Sequence, residues 1–184
     1  MSDLAHARAL FAPDRRRGLL KSAIAAILTT MVCLYAFDRF TLHSDGQVGG
    51  TSLDFRHYVV DSYGVPSAPG HYVAFRVMDV GPVLPNGKRF YPNGTVFGKQ
   101  VFALPGDHVT VTKDSVSVNG RVVARNEFTV LDRIAEDPQH LVTRDEVVPD
   151  GHLFVLGTHP RSLDSRFIGF VPEEWVIGRM YALW

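Results

Sequence analysis

One apolar run near the N-terminus restricts what this chain can fold into. Leu19 to Phe37 spans 19 residues with a single charge, Lys21, and about 20 apolar residues are enough for a helix to cross a bilayer. Lys21 lies at the edge of the run, where its amine can reach the interface. Aromatic side chains favour the opposite interface, and Tyr35 lies near that end. The sequence therefore predicts one transmembrane helix over residues 19–37.

The charges around the run predict its orientation. Three arginines at positions 15–17 precede it, and the positive-inside rule places such a cluster in the cytoplasm. Residues 1–18 are then a cytoplasmic basic N-terminus, and residues 38–184 form a domain outside the membrane. A cleaved signal peptide is the alternative, but its apolar region is shorter, about 7–15 residues, and ends at a small-residue cleavage site. No Ala-x-Ala follows this run, which favours an uncleaved anchor.

The overall charge argues against nucleic acid as a partner. The 184 residues include 19 Lys+Arg and 19 Asp+Glu, whereas nucleic-acid binders usually carry a basic excess. Residues 1–37 hold five basic and two acidic side chains, so residues 38–184 are slightly acidic. Cys33, the single cysteine, lies inside the apolar run and excludes an intrachain disulfide. We expect membrane lipid, and no nucleic acid, among the partners.

The region after residue 38 is predicted to be mainly β. Short segments rich in Val, Phe and Tyr alternate with Gly, Pro, Asn and Asp. Asn119-Gly120 between two such segments predicts a two-residue hairpin. The polar stretch 126–150 is predicted to be an excursion or flap. The fold class is a β-barrel or sandwich with one N-terminal transmembrane helix. The predicted strands are 57–61, 71–78, 97–103, 108–112, 115–118, 121–124, 153–157 and 175–182.

Metal and cofactor sites are not predicted. The eight histidines form no His-x-x-x-His pair and no Cys/His cluster of the kind that binds zinc. The sequence also has no Gly-rich phosphate loop.

Three ordered motifs resemble a known family. Residues 99–107 read Lys-x-Val-x-x-Leu-Pro-Gly-Asp, residues 162–172 read Ser-x-Asp-Ser-Arg-x-x-Gly-x-Val-Pro, and residues 177–179 read Ile-Gly-Arg. In this order they resemble the type I signal peptidases, which are membrane-anchored serine peptidases with a Ser/Lys dyad. The resemblance covers most of residues 48–184. It implies a signal-peptidase-like β domain.

The resemblance also implies roles for individual side chains. It makes Lys99 the general base, and Ser162 the hydrogen-bond partner that orients its amine. It makes Asp164 and Arg166 a supporting ion pair. Two positions depart from the family pattern, because Gln100 stands where Arg is usual and Thr158 where Asp is usual.

Three serines are candidates for the nucleophile. The branch that processes conjugative pilins carries Ser-x-Pro-x-Gly-x-Tyr soon after the anchor, and Ser52 begins a similar segment. That segment keeps the serine and the tyrosine but has Asp54 for Pro and Arg56 for Gly. Ser62 keeps the Ser-to-Gly spacing of the housekeeping type I signal peptidases. Ser67 lies in a turn before a predicted strand. We take Ser52 as the nucleophile, with Ser62 and Ser67 as alternatives.

A Ser/Lys dyad needs a lysine whose amine is neutral and can accept a proton. A serine hydroxyl needs a base to become a nucleophile, and a free Lys, with a pKa of about 10.4, is charged at pH 7. Desolvation disfavours the charged amine. Lys99 lies between Phe97 and Val101, and strand alternation predicts all three on one face. The backbone N–H of Ser52 would stabilise the oxyanion.

The predicted function is a membrane-bound serine endopeptidase that cleaves signal peptides from exported proteins, pilin precursors of a conjugative system included. Its domain would lie in the periplasm or on the outer face of a bacterial cytoplasmic membrane. Substrates would dock as an added strand on a sheet edge. Two alternatives are a non-catalytic membrane-tethered β-module of a secretion or conjugation apparatus, and a self-cleaving Ser/Lys regulator. The anchor argues against the regulator.

Overall fold

The computed structural model describes residues 13–44, 53–79, 91–126, 143–158 and 162–183. The chain divides into two compact units, Met1–Phe40 and Thr41–Trp184. The first contains helix α1, Pro13–Arg39. Within it Arg15–Arg39 is long and apolar enough to cross a membrane. The large apolar side chains of this helix are exposed.

The second unit contains two antiparallel sheets. The larger has seven strands in the order β1-β2-β11-β3-β4-β9-β10. Its strand pairing places β4 between β3 and β9, so residues of β4 lie in the middle of the sheet. The strands are β1 Phe40–Ser44, β2 His57–Asp61, β3 Tyr72–Arg76, β4 Val96–Ala103, β9 His152–Leu156, β10 Val171–Pro172 and β11 Val176–Ala182.

The smaller sheet has four strands in the order β7-β6-β5-β8. Strands β6 and β7, at one edge of this sheet, form a hairpin whose turn residues, Asn119 and Gly120, both have positive φ angles, 50° and 78°. This is the backbone that a two-residue hairpin turn requires, and the predicted hairpin is observed. The strands are β5 His108–Val111, β6 Ser115–Val118, β7 Arg121–Arg125 and β8 Arg144–Val147.

One hydrophobic cluster joins the two sheets. It includes Val73, Val101 and Phe154 from the larger sheet, and Val109 and Val116 from the smaller one, all nearly inaccessible to solvent. Burying apolar surface is the main favourable term in folding. A second, smaller cluster, which includes Leu53, Ala74 and Met180, lies on the other face of the larger sheet. The larger sheet is therefore covered on both faces around β3 and β4.

The mainly β fold class is confirmed, and all eight predicted strands are present. The sequence missed β1, β8 and β10. Strand β8 lies within the stretch predicted as a flap, and of that stretch residues 127–142 lie outside the described residues. Three of its four side chains are exposed, so it lacks the apolar alternation that marks a strand. Side-chain contacts to β5, including Thr110 Oγ1 to Asp145 Oδ1 at 3.0 Å, accompany its pairing.

Candidate active site

Strand β4 presents Lys99 to the interior. Its residues alternate between buried and half-buried from Phe97 to Ala103, so Lys99 shares a face with Phe97 and Val101, as predicted. The Lys99 side chain is only 3% exposed, and its Nζ lies 5.3 Å from the centroid of the Phe97 ring. An amine in such a position has lost most of its hydration.

Ser162 is the hydrogen-bond partner of this amine. Lys99 Nζ donates to Ser162 Oγ over 2.7 Å, and Ser162 is 4% exposed. The two residues are 63 positions apart in the chain. The fold therefore brings the first and second motifs together.

Asp164 and Arg166 form a buried ion pair behind Ser162. Arg166 Nη2 lies 2.7 Å from Asp164 Oδ2, and Arg166 Nε donates to Asp164 Oδ1 over 2.8 Å. Asp164 also caps helix α2, Ser165–Ile168, and accepts the Gly157 N–H at 2.9 Å. The pair thus ties the loop that carries Ser162 to the end of β9, which holds the Ser162 hydroxyl in place.

Ser52 lies outside the described residues, but its chain neighbours are placed. A Cβ added to Gly98 would lie 3.4 Å from Leu53 Cδ1, so Leu53 packs beside the residue that precedes Lys99. Thr158 Oγ1 donates to Asp54 Oδ1 over 2.9 Å, and Thr158 lies in the loop between β9 and Ser162. Residues 53 and 54 therefore contact both chain segments that carry the Lys99–Ser162 pair.

The two alternative serines lie elsewhere. Ser62 follows β2, with its Cα next to Gly178 of β11. It is exposed, and it lines an open groove together with Pro66 and Ile177. Two strands, β11 and β3, stand between β2 and β4, a separation of about 14 Å at the usual strand spacing. Ser67 is an exposed loop residue before β3 whose N–H donates to His71 Nδ1 over 3.2 Å.

Comparison with known proteins decides the family. The family model described as signal peptidase, peptidase S26, matches residues 16–184, nearly the whole chain. This chain belongs to the signal peptidase family. The resemblance that the motifs predicted is confirmed.

Individual relatives match shorter stretches. A signal peptidase I of Leptolyngbya laminosa is 36% identical over 84 residues, 45% of this chain and 38% of that protein. The conjugal transfer protein TraF of Agrobacterium tumefaciens (strain 15955) is 35% identical over 79 residues, 43% of each chain. This chain spans less than half the length of these curated relatives. A solved signal peptidase I from Enterococcus faecalis V583 is 26% identical, with a TM-score of 0.37, over 66% of this chain and 99% of that chain.

The two positions that depart from the signal peptidase pattern both have hydrogen-bond partners. Gln100 Nε2 donates to the carbonyl oxygen of Gly70 over 3.1 Å, next to the start of β3. Thr158 donates to Asp54, and Asp54 is itself a departure, at a position where the conjugative branch has Pro. These side chains therefore contribute to the structure around the site.

Two residues near the signal peptidase motifs were missed by the sequence analysis. Ser165 Oγ accepts the Val155 N–H at 2.9 Å, which joins α2 to β9; its place inside the Ser-x-Asp-Ser-Arg motif was the available signal. Asn126 Oδ1 accepts from Arg166 Nη1 at 3.2 Å and connects the end of β7 to the buried ion pair. No sequence pattern marked Asn126.

The arrangement provides groups for acid–base chemistry rather than for holding a metal. In the parts of the chain that the structure describes, no group of three or more His, Cys, Asp or Glu side chains is placed to bind an ion. The site contains the buried Lys99 amine and the Ser162 hydroxyl to which it donates a hydrogen bond. The Asp164–Arg166 ion pair holds the loop that carries Ser162. An amine held in this way can accept a proton from a nearby hydroxyl group when it is neutral.

Proposed function

We propose that this chain is a membrane-anchored serine endopeptidase in which Ser52 is the nucleophile and Lys99 the general base. The observation that carries the proposal is the buried hydrogen bond from Lys99 Nζ to Ser162 Oγ, 2.7 Å long. Membership of the signal peptidase family supports peptide-bond hydrolysis as the reaction class.

Lys99 acts as the base because of its surroundings. Burial disfavours the charged form of an amine, and Lys99 is 3% exposed beside the Phe97 ring. A neutral amine that donates one N–H to Ser162 keeps its lone pair for the nucleophile's proton. Ser162 therefore fixes the direction of the lone pair, and the Asp164–Arg166 pair fixes Ser162.

The reaction follows the general course of serine acyl transfer. Ser52 Oγ attacks the carbonyl carbon of the scissile bond, and its proton passes to Lys99 Nζ. The amine leaving group takes that proton as the C–N bond breaks, which leaves an acyl group on Ser52. Water then attacks the ester and gives its proton to Lys99. That proton passes to Ser52 Oγ as the ester C–O bond breaks and the acid product leaves. The Ser52 N–H stabilises the oxyanion in both steps.

The contacts of residues 53 and 54 support Ser52 over the other serines. Asp54, two residues after Ser52, is hydrogen-bonded to Thr158 in the loop between β9 and Ser162. Leu53 packs against Gly98, on the face of β4 opposite Lys99. Ser62 follows a strand that β11 and β3 separate from β4. A lysine side chain is too short to cover that separation.

Substrate would dock as an added strand on an edge of the larger sheet, where backbone N–H and C=O groups accept an extended peptide. The substrates we propose are signal-peptide-bearing exported proteins, with pilin precursors of a conjugative system as one class, since a conjugal transfer protein is among the relatives.

The location we propose follows from α1 and the charges that flank it. The helix is anchored in the cytoplasmic membrane of a bacterium as a single pass, with residues 1–18 in the cytoplasm and residues 38–184 in the periplasm or outside. The apolar Arg15–Arg39 segment supports the anchor, and the three arginines at positions 15–17 support the orientation.

Cleavage of a precursor by the purified full-length protein tests the proposal. In detergent, the protein should release the signal peptide from a signal-peptide-bearing precursor, and Lys99→Met and Ser52→Ala should each abolish release. Lys113→Met, at an exposed lysine in the β5–β6 turn, is the matched control and should leave activity unchanged.

The same assay separates the alternatives. Cleavage that persists in Ser52→Ala and is lost in Ser62→Ala or Ser67→Ala would reassign the nucleophile, and cleavage that persists in Lys99→Met would refute the dyad. The absence of cleavage by the unaltered protein on signal-peptide and pilin precursors would favour the non-catalytic module. The observation that motivates that second function is the loss of Pro and Gly at Asp54 and Arg56.

A further inference from the structure

Two departures from the family pattern are bonded to each other. Asp54 occupies the position of the Pro that follows the nucleophile in the conjugative branch, and Thr158 occupies the position of an Asp. They are 104 residues apart in the chain, yet Thr158 Oγ1 donates to Asp54 Oδ1 over 2.9 Å. Their contact gives the two substitutions a common physical explanation.

The contact joins the two halves of the proposed site. Asp54 lies two residues after Ser52, and Thr158 lies four residues before Ser162. Thr158 follows Gly157, whose N–H donates to the buried carboxylate of Asp164. The acceptor segment is thus tied to a loop that the ion pair already holds in place.

A proline and a hydrogen bond restrict a chain in different ways. Proline fixes φ near −65° and reduces the freedom of the chain around it without any tertiary partner. An Asp at the same position leaves that freedom in place, so the segment needs an external contact to hold one geometry. The hydroxyl of Thr158 supplies such a contact, an exposed hydrogen bond to the Asp54 carboxylate.

We propose that the Thr158–Asp54 hydrogen bond holds the residues that follow Ser52 in one geometry beside the loop that leads to Ser162, in place of the rigidity that proline gives in the conjugative branch. Asp54 and Thr158 are positioning residues, since neither is assigned a contact with the reacting atoms. The inference rests on the proposed function, because it assumes that Ser52 is the nucleophile. A misplacement of about 1 Å can lower a rate by about 100-fold, so even a small shift of this segment would be measurable.

A double-mutant cycle on the full-length protein tests the pairing. Thr158→Val removes the hydroxyl at nearly constant shape, and Asp54→Ala removes the acceptor. Each should lower kcat by roughly 10-fold, the effect expected for loss of a hydrogen bond to a charged group, and should leave KM within about twofold, because ground-state binding is not affected. The double variant should be no slower than either single one.

Two control variants separate positioning from general stability. Thr158→Ser keeps the hydroxyl and should retain kcat. Thr110→Val removes an equivalent exposed bond, Thr110 Oγ1 to Asp145 Oδ1 at 3.0 Å in the smaller sheet, and should leave kcat unchanged. If kcat is the same in Thr158→Val and the unaltered protein, or if the double variant loses the product of the two single effects, the proposed pairing is wrong.

A second readout does not need turnover. In a Cys33→Ala background, Ser52→Cys places one thiol at the nucleophile position, and its alkylation by iodoacetamide is followed against pH. An amine beside the thiol can take its proton and, once charged, stabilise the thiolate. Thr158→Val should therefore move the midpoint of alkylation toward the free-thiol value of about 8.5, while Thr158→Ser should not. An identical profile with and without the Thr158 hydroxyl would refute the positioning role.

These outcomes distinguish the two proposals. If cleavage requires Lys99 but neither kcat nor the alkylation profile responds to Thr158→Val, the positioning contact fails and the proposed function stands. If cleavage is indifferent to Lys99→Met, the dyad fails. A shift of the alkylation profile in a protein that cleaves no precursor would support the contact and count against the peptidase activity.

Discussion

Asp164→Asn should strongly destabilise the β domain. The Asp164 side chain is 0% exposed and Arg166 is 2% exposed. The carboxylate accepts from Arg166 N, Nε and Nη2 and from Gly157 N. An amide at this position removes the charge and turns one acceptor into a donor that faces other donors. Arg166 is then a buried charge without compensation, and breaking a buried pair in this way costs about 3–5 kcal/mol.

The measurement is urea unfolding of the full-length protein in detergent. Both tryptophans, Trp175 and Trp184, lie in the sequence of the second unit, so their fluorescence reports on the β domain and not on α1. Asp145→Asn is the matched control, because that carboxylate is 73% exposed and lies 3.1 Å from His108 Nε2. Surface pairs contribute about 0–1 kcal/mol, so its unfolding midpoint should hardly move.

A companion variant tests the electrostatic explanation. Replacing both members of the pair, Asp164→Leu with Arg166→Met, removes the unpaired charge and should be less destabilising than Asp164→Asn alone. If Asp164→Asn costs no more than Asp145→Asn, or if the double replacement is the worse of the two, the buried pair does not stabilise this domain in the way described.

Two further predictions concern the sheet and the anchor. Gly178→Ala should destabilise far more than Gly98→Ala in the same urea titration, because a Cβ at Gly178 would overlap the backbone carbonyl of Asp61, whereas at Gly98 it would meet mainly the flexible end of a methionine. Equal losses of unfolding free energy in the two variants would contradict this packing. In intact membrane vesicles, Cys33 should not react with a membrane-impermeant maleimide. A cysteine introduced by Asp150→Cys, in an exposed loop, should react only when the maleimide is on the side of the membrane that faces outward in the cell. Labelling of Cys33 would argue against the anchor.

The sequence by itself determined the features that depend only on residues close together in the chain. The apolar run predicted the helix that the structure shows as α1, and alternation predicted eight strands at nearly their observed bounds. Asn119-Gly120 predicted the hairpin because its backbone angles are a local property. The spacing within each motif indicated the family, which the family model confirmed. The predicted boundaries of the N-terminus, anchor and domain, and the choice of Ser52, stay predictions.

Only the tertiary structure decided which of these segments meet. The sequence indicated that Lys99 shares a face with Phe97, but its burial and its bond to Ser162 depend on β3 and β9 flanking β4. The Thr158–Asp54 contact joins residues 104 positions apart, and the sequence marked the two positions only as separate departures from the family pattern. Strand β8 was missed for the same reason, since its exposed side chains carry no periodicity and its pairing with β5 defines it. Local spacing fixes backbone conformation, whereas contacts between distant residues depend on the order in which the strands pair.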